Sequence, residues 1–180
     1  MRAARAAVAA VLASLTLAGC GGASAAARRG SPPWQRYQAP EHGYAVDYPA
    51  APEVVDDDRR DSKIQISMVG DKAGKRVLGV VTVSADKLHT DASDFLFDAM
   101  GAQLGRLFAA RVGASTDLLL DGRHARDFEL THLEQPNTRG KGRLVLDADK
   151  GRMYFIVLIA ETAAGRADLE RFFKSFTITE

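Results

Sequence analysis

The sequence predicts an α+β fold, an antiparallel sheet flanked by helices in an α/β/α sandwich. Three observations lead there. Short apolar segments alternate with hairpin-length turns from residue 34 onward, the pattern of sequentially paired strands. Two segments, 92–111 and 169–176, repeat their apolar residues at helical spacing. Residues 153–160 are apolar at both parities, Met153, Phe155, Val157 and Ile159 alternating with Tyr154, Ile156, Leu158 and Ala160. A strand dry on both faces belongs at the centre of a sheet covered on both sides, with one helix expected on each face and a dimer interface as the alternative cover of one.

Taken in order, residues 34–38 and 44–48 are expected strands joined by the turn Pro40-Glu41-His42-Gly43. Ile64, Ile66 and Met68 alternate with Lys63, Gln65 and Ser67, so this strand is expected to have one wet face. A strand over 77–84 follows. The helix over 92–111 places Phe97, Met100, Leu104, Leu107 and Phe108 three and four apart, with Thr90 or Asp91 available as its cap. Strands are expected at 116–121, 125–132 and 143–147, with tight turns at Asp121-Gly122 and Asp149-Lys150-Gly151. Leu169, Phe172, Phe173 and Phe176 mark a closing helix, leaving Thr177 and Ile178 as a tail.

Ahead of this domain (34–180) the chain has a different character. Arg2 and Arg5 precede an apolar run over 6–19, the n-region and h-region of an export signal. As a helix that run spans roughly 21 Å, short of the roughly 30 Å of a bilayer core, which disfavours a permanent transmembrane anchor. Leu17-Ala18-Gly19-Cys20 resembles the bacterial lipobox, which implies cleavage between Gly19 and Cys20 and a diacylglycerol on the Cys20 thiol. Residues 1–19 are then a lipoprotein signal peptide and 20–33 a lipidated flexible tether. The competing expectation is ordinary cleavage after Ala23-Ser24-Ala25, releasing a chain without Cys20. Residues 21–33, rich in Gly, Ala, Ser and Pro, would reach about 20 Å as a flexible coil. Arg28 and Arg29 lie in that tether and are expected to be solvated, with contact to anionic headgroups as the competing expectation.

The chain has 180 residues, 46% apolar and 26% charged, with a formal charge of +1. Removing Arg2 and Arg5 leaves 22 basic against 23 acidic residues. That balance provides no broad electrostatic footprint for nucleic acid or for anionic membranes. One cysteine excludes an internal disulfide, cysteine-rich metal sites and CxxC redox chemistry.

Tyr44-Ala45-Val46-Asp47-Tyr48-Pro49, Gly122-Arg123-His124-Ala125-Arg126-Asp127-Phe128 and Arg143-Leu144 resemble the PsbP-like domain of bacterial lipoproteins. Arg152-Met153-Tyr154 and Arg171-Phe172-Phe173-Lys174-Ser175-Phe176 extend the likeness to about residues 36–178. It implies an antiparallel sheet between helices and a binding or accessory role. The family offers no shared catalytic motif to carry over.

The residues themselves point to little chemistry. His124 and His132 share a strand but sit roughly 27 Å apart along it, too far for one metal at bonds of about 2 Å. His42 and His89 have no partner at metal spacing. Asp56-Asp57-Asp58-Arg59-Arg60-Asp61 lacks the alternating ligands and glycine of a calcium loop, so it is expected to be a solvated loop. Arg139-Gly140-Lys141-Gly142-Arg143 leads into a strand and not a helix, so it is expected to be a basic turn rather than a phosphate loop. Asp127 and Glu129 would share a strand face, where solvated polar residues are a simpler explanation than a catalytic carboxylate pair. Trp34, Tyr37, Tyr44 and Tyr48 cluster near the start of the domain as candidate binding residues, with packing of the first hairpin as the competing expectation.

The sequence therefore leads to a non-catalytic, membrane-tethered binding or accessory module of the cell envelope. It has no cofactor besides the covalent lipid on Cys20 and no metal. Its partners are the membrane, through that lipid, and an envelope protein or small apolar ligand. In a cell with two membranes Gly21 after the cysteine favours the outer membrane, facing the periplasm; otherwise the anchor lies in the outer face of the cytoplasmic membrane. The alternatives are a carrier or sensor of a small apolar ligand, and an envelope hydrolase without a recognisable motif.

Overall fold

The computed structural model describes residues 33–59, 62–70, 76–85, 93–107, 109–132, 138–161 and 164–179. The signal segment, Cys20 and the tether up to residue 32 lie outside the described residues, as do Arg60, Asp61, His89, Thr90, Asp91 and Phe108. The described residues form strands β1 (Gln35–Ala39), β2 (Tyr44–Tyr48), β3 (Glu53–Arg59), β4 (Ser62–Gly70) and β5 (Arg76–Ala85). Helix α1 (Ser93–Leu107) follows, then β6 (Ala110–Leu120), β7 (Arg123–His132), β8 (Arg139–Asp147) and β9 (Arg152–Ala160). Helix α2 (Ala164–Ser175) and β10 (Thr177–Ile178) close the chain.

This overturns the expected α/β/α sandwich. Ten strands in two antiparallel sheets dominate the described residues, and only two α-helices accompany them. The large sheet has the order β3-β4-β5-β9-β8-β7-β6, and β1, β2 and β10 form a separate three-stranded sheet. That small sheet, with the aromatic side of α2, packs on one face of the large one through Tyr44, Val46, Tyr48, Phe172 and Phe176. On the other face α1 inserts Phe97 among Phe128, Leu130 and Leu144. The physical reason is the width of β2. Its alternate residues Tyr44, Val46 and Tyr48 are large and fully buried, so a strand pair supplies cover that a helix was expected to supply. Period-2 patterning does not say whether a hairpin joins a sheet edge or stacks on its face.

The antiparallel pairing and the central position of the doubly apolar strand do match expectation. β9 lies between β5 and β8, with Met153 through Ile159 buried. Asp121 and Gly122, at φ 50° and 79°, form the two-residue turn that pairs Leu120 with Arg123. Both central residues need the left-handed region, which Asp-Gly accepts.

Four local expectations change. The helix stops at Leu107, and the segment from Ala110, Arg111 included, is strand β6; Ala109 at φ 45° reverses the chain between them. The acidic run is an edge strand: Glu53–Arg59 pairs along β4 from Met68 to Ser62. Charged side chains on an outer strand blunt its capacity to pair with another chain. The basic "turn" is the start of β8, with Arg139, Lys141 and Arg143 on one face and glycines on the other. A Cβ on Gly140 would stand 2.5 Å from the carbonyl oxygen of Leu158, so only glycine permits that close approach. The tail 177–178 is a strand, β10, paired to Ala45 and Tyr44.

Candidate functional site

Two polar constructions stand out among the described residues. The first lies between the small sheet and β4. Gln65 and Ser67, expected on a wet face, are 6% and 0% exposed. They are buried because hydroxyls from β2 satisfy them. Tyr44 donates to Gln65 Oε1 at 3.0 Å, and Tyr48 donates to the Ser67 carbonyl at 2.8 Å. Ser67 Oγ lies 2.8 Å from both phenol oxygens. Gln65 Nε2 donates to Asp56 Oδ1 at 2.9 Å, and His42 Nε2 lies 3.4 Å from that oxygen. Tyr154 donates to the carbonyls of His42 and Gly43 at 3.2 and 3.1 Å. Burial pushes the phenol groups of Tyr44, Tyr48 and Tyr154 up from their ordinary values, so they stay neutral donors at physiological pH.

The rings pack as they bond. Tyr37 meets Tyr44 and Tyr48 at centroid distances of 6.1 Å each, and Tyr44 stacks on Phe176 at 6.0 Å. Of the four aromatics singled out from sequence, Tyr44 and Tyr48 are thus fully buried. Tyr37 and Trp34 are half-buried at the margin, with Arg171 over the Trp34 ring at 4.7 Å.

The second construction occupies the outer strands β6–β8. Arg126, its side chain 9% exposed, points toward α1 and lies over Phe97 at 5.3 Å. Its guanidinium donates to Asp117 of β6 and to Asp94 and Asp98 of α1, the latter two at 2.8 Å. The hydrogen bond from Arg126 holds the Asp117 carboxyl below the usual carboxylate range. On the opposite face Asp127 accepts from Arg143 at 2.6 and 3.0 Å, and Lys141 lies 2.6 Å away. Burial alone would raise the Asp127 pKa, but the bonds from Arg143 and Lys141 outweigh it and lower it. Both cations sit over the Phe173 ring, at 5.6 Å for Lys141 and 5.4 Å for Arg143. Asp127 is therefore an ion-pair member, while Glu129 is exposed.

Sequence reasoning picked out Tyr44, Tyr48 and Asp127 but missed the partners that make each construction. The signals were present but weak: Asp94 and Asp98 stand four apart on one helix face, and Arg139, Lys141 and Arg143 alternate strictly with glycine. Nothing local marked Arg126 as buried.

Beside the end of α1 an open cleft of about 480 Å³ is lined by Ala102, Gly105, Arg106, Ala109, Ala110 and Val112. Among the described residues no cluster of three or more His, Cys, Asp or Glu side chains could hold a metal. His124 is exposed on β7, and His42 is buried against Asp56. Arg123 Nε lies 3.0 Å from the buried Asp147, close enough for an ion pair but not aligned for a hydrogen bond. No described helix is long and apolar enough to cross a membrane.

No family profile matches the chain, and no curated protein matches it in sequence. Among solved structures it is similar to cyanobacterial PsbP (CyanoP) from Synechocystis sp. PCC 6803, determined in solution. The two share 17% identity at a TM-score of 0.56, over 90% of this chain and 98% of that one. At that identity the likeness speaks for the fold alone, and the folded domain is PsbP-like.

Proposed function

We propose that the chain is a lipoprotein of the cell envelope, held to a membrane through lipid on Cys20, whose PsbP-like domain is a non-catalytic binding or accessory module. The observation that carries this reading is Leu17-Ala18-Gly19-Cys20 directly after an apolar run. The domain's chemistry supports the second half. Three of its buried polar side chains are committed to holding layers together: Tyr44 and Tyr48 to β4, and Arg126 to α1. On this reading the protein faces the periplasm from the outer membrane where two membranes exist, or the outside of the cytoplasmic membrane otherwise.

The test is the mass of the full chain purified in detergent from its own membranes. A denatured mass that starts at Cys20 and carries acyl chains is expected, whereas a chain starting near Ala26 would overturn the anchor. Turnover of an envelope substrate, abolished by one substitution, would overturn the non-catalytic role.

The cleft between α1 and β6 favours a second reading, a carrier or sensor of a small apolar ligand. Its lining is small and apolar apart from Arg106, which suits an apolar molecule with an anionic end. Mass retained by the native protein and lost from an Ala102→Trp variant is the expected sign; a bare native mass from its own membranes removes this reading.

A further inference from the structure

The proposed tether joins the folded domain at Pro33, immediately before Trp34. Trp34 is the only tryptophan of the chain. It lies half-buried at the outer side of α2 with the Arg171 guanidinium 4.7 Å above its ring. An aromatic ring under a cation suits the boundary between headgroups and acyl chains, where amphipathic rings and basic side chains concentrate.

The surroundings of Trp34 extend the pattern. In α2, Phe172 turns inward against Tyr48 at 5.3 Å. Helical geometry then places Arg171 and Phe173 on opposite flanks and Lys174 on the outward ridge, where its side chain is 78% exposed. On the first flank Arg36 reaches the carbonyl of Ser175 and the hydroxyl of Thr177, at the end of the same helix. On the second flank Lys141 and Arg143 lie over Phe173. The carboxylates among these groups are Asp47, Asp127, Asp168 and Glu170, engaged by Arg36, by Arg143 with Lys141, by Arg76 and by Lys174 respectively. Six cations thus face four carboxylates around α2, in a chain that is nearly neutral. Elsewhere the sign reverses: β3 carries Glu53, Asp56, Asp57 and Asp58 against Arg59, and α1 carries Asp94 and Asp98 against Arg106.

We infer that the outer face of α2, with Trp34 at its margin, docks on anionic phospholipid headgroups of the membrane that holds the tether. This rests on the anchored reading above. Two features single out a bilayer as the occupant. The chain enters the domain at this face, so a tether of thirteen residues keeps it within reach of the surface. The charge of the face is opposite to that of anionic lipid, and the acidic strand and helix are repelled by it, so the domain is oriented as well as attracted. Docking of this kind adds a second, electrostatic contact to the acyl anchor.

The lone tryptophan is the reporter. Full-length protein from its own membranes is reconstituted into phosphatidylcholine vesicles and into phosphatidylcholine–phosphatidylglycerol vesicles. Docking predicts a blue shift of Trp34 emission, and its quenching by brominated acyl chains, only with phosphatidylglycerol and only at low salt. Lys174→Glu is expected to weaken the response about tenfold when combined with Arg171→Glu. Lys174→Glu alone, which leaves Trp34 packing untouched, should weaken it by a smaller factor. Lys63→Glu, the same charge change on β4, should leave it intact. Emission that is equal on both vesicle types, or equally sensitive to Lys63→Glu, overturns the inference. Flotation and intact mass report separately on the anchor. A chain that lacks acyl groups and does not float on neutral vesicles defeats the anchored reading. A shift of Trp34 on adding phosphatidylglycerol vesicles to that same chain would still establish the docking face.

Discussion

The half of the molecule beneath the small sheet and the half formed by β6, β7 and β8 solve the same problem with different groups. Each must bury polar atoms between layers. Beneath the small sheet the atoms are neutral, with Tyr44, Tyr48, Ser67 and Gln65 exchanging hydrogen bonds. In the outer strands they are charged: Arg126 is held by three carboxylates, and Asp127 by Arg143 and Lys141. Neutral donors leave the protein little to lose to salt, and their rings add contact area. Ion pairs at a wet margin are weak individually and fade with salt and protonation. The comparison teaches that one half is built for permanence and the other for conditional attachment, of α1 through Arg126 and of α2 through Lys141 and Arg143 over Phe173.

The largest effect should come from removing a ring beneath the small sheet. Phe172→Ala is expected to cost about 3–5 kcal/mol in urea unfolding, because the site is fully buried between sheets. A loss under about 1 kcal/mol would show that the small sheet is only loosely attached. Tyr48→Phe keeps the ring but leaves the Ser67 carbonyl without its donor. Its expected cost is about 1–3 kcal/mol, unchanged by salt.

Arg126→Met should cost less, about 1–2 kcal/mol, since its carboxylate partners become solvated once freed. Its signature is local: faster amide exchange in α1 with β4 and β5 unaffected. If high salt destabilises this variant as much as the parent protein, the clamp is not the source of the salt response.

The smallest and most discriminating effect is on pH. Asp117 and Asp127 have folded pKa values below their unfolded ones. Their contribution is therefore complete above the unfolded pKa near 4, and it is lost as pH falls through the lower folded values. Tyr44, Tyr48 and Tyr154 have folded values above their unfolded ones. Their contribution is complete below about pH 10 and is lost as pH rises beyond it. Stability curves of Asp117→Asn and Tyr48→Phe should then flatten at opposite ends, acid for the first and alkaline for the second. Identical flattening at one end in both would erase the distinction between the halves.

The sites were less legible in the sequence than the strands were. Tyr44 and Tyr48 stood out as aromatics of the first hairpin, and burial of the pair is consistent with packing. Gln65 and Ser67 read as solvent-facing because alternation with Ile64, Ile66 and Met68 is the usual mark of a half-wet strand. Only a second layer carrying hydroxyls at matching positions makes that face dry. Arg126 and Asp127 are adjacent in a polar-looking stretch, yet they point to opposite faces of β7 and join unrelated clusters.

By itself the sequence determined what depends on neighbours along the chain. Apolar residues at both parities announced β9 as central, and Asp121-Gly122 announced a two-residue turn. The signal peptide and tether over 1–33 stay a proposal, because they lie almost wholly outside the described residues. Tertiary structure alone decided that β1 and β2 leave the large sheet, that β10 completes their sheet, and that strands rather than helices provide most of the cover on that face. Those outcomes turn on which surfaces meet across the fold, where side-chain volume and hydrogen-bond partners from distant segments compete, and no local period encodes that competition.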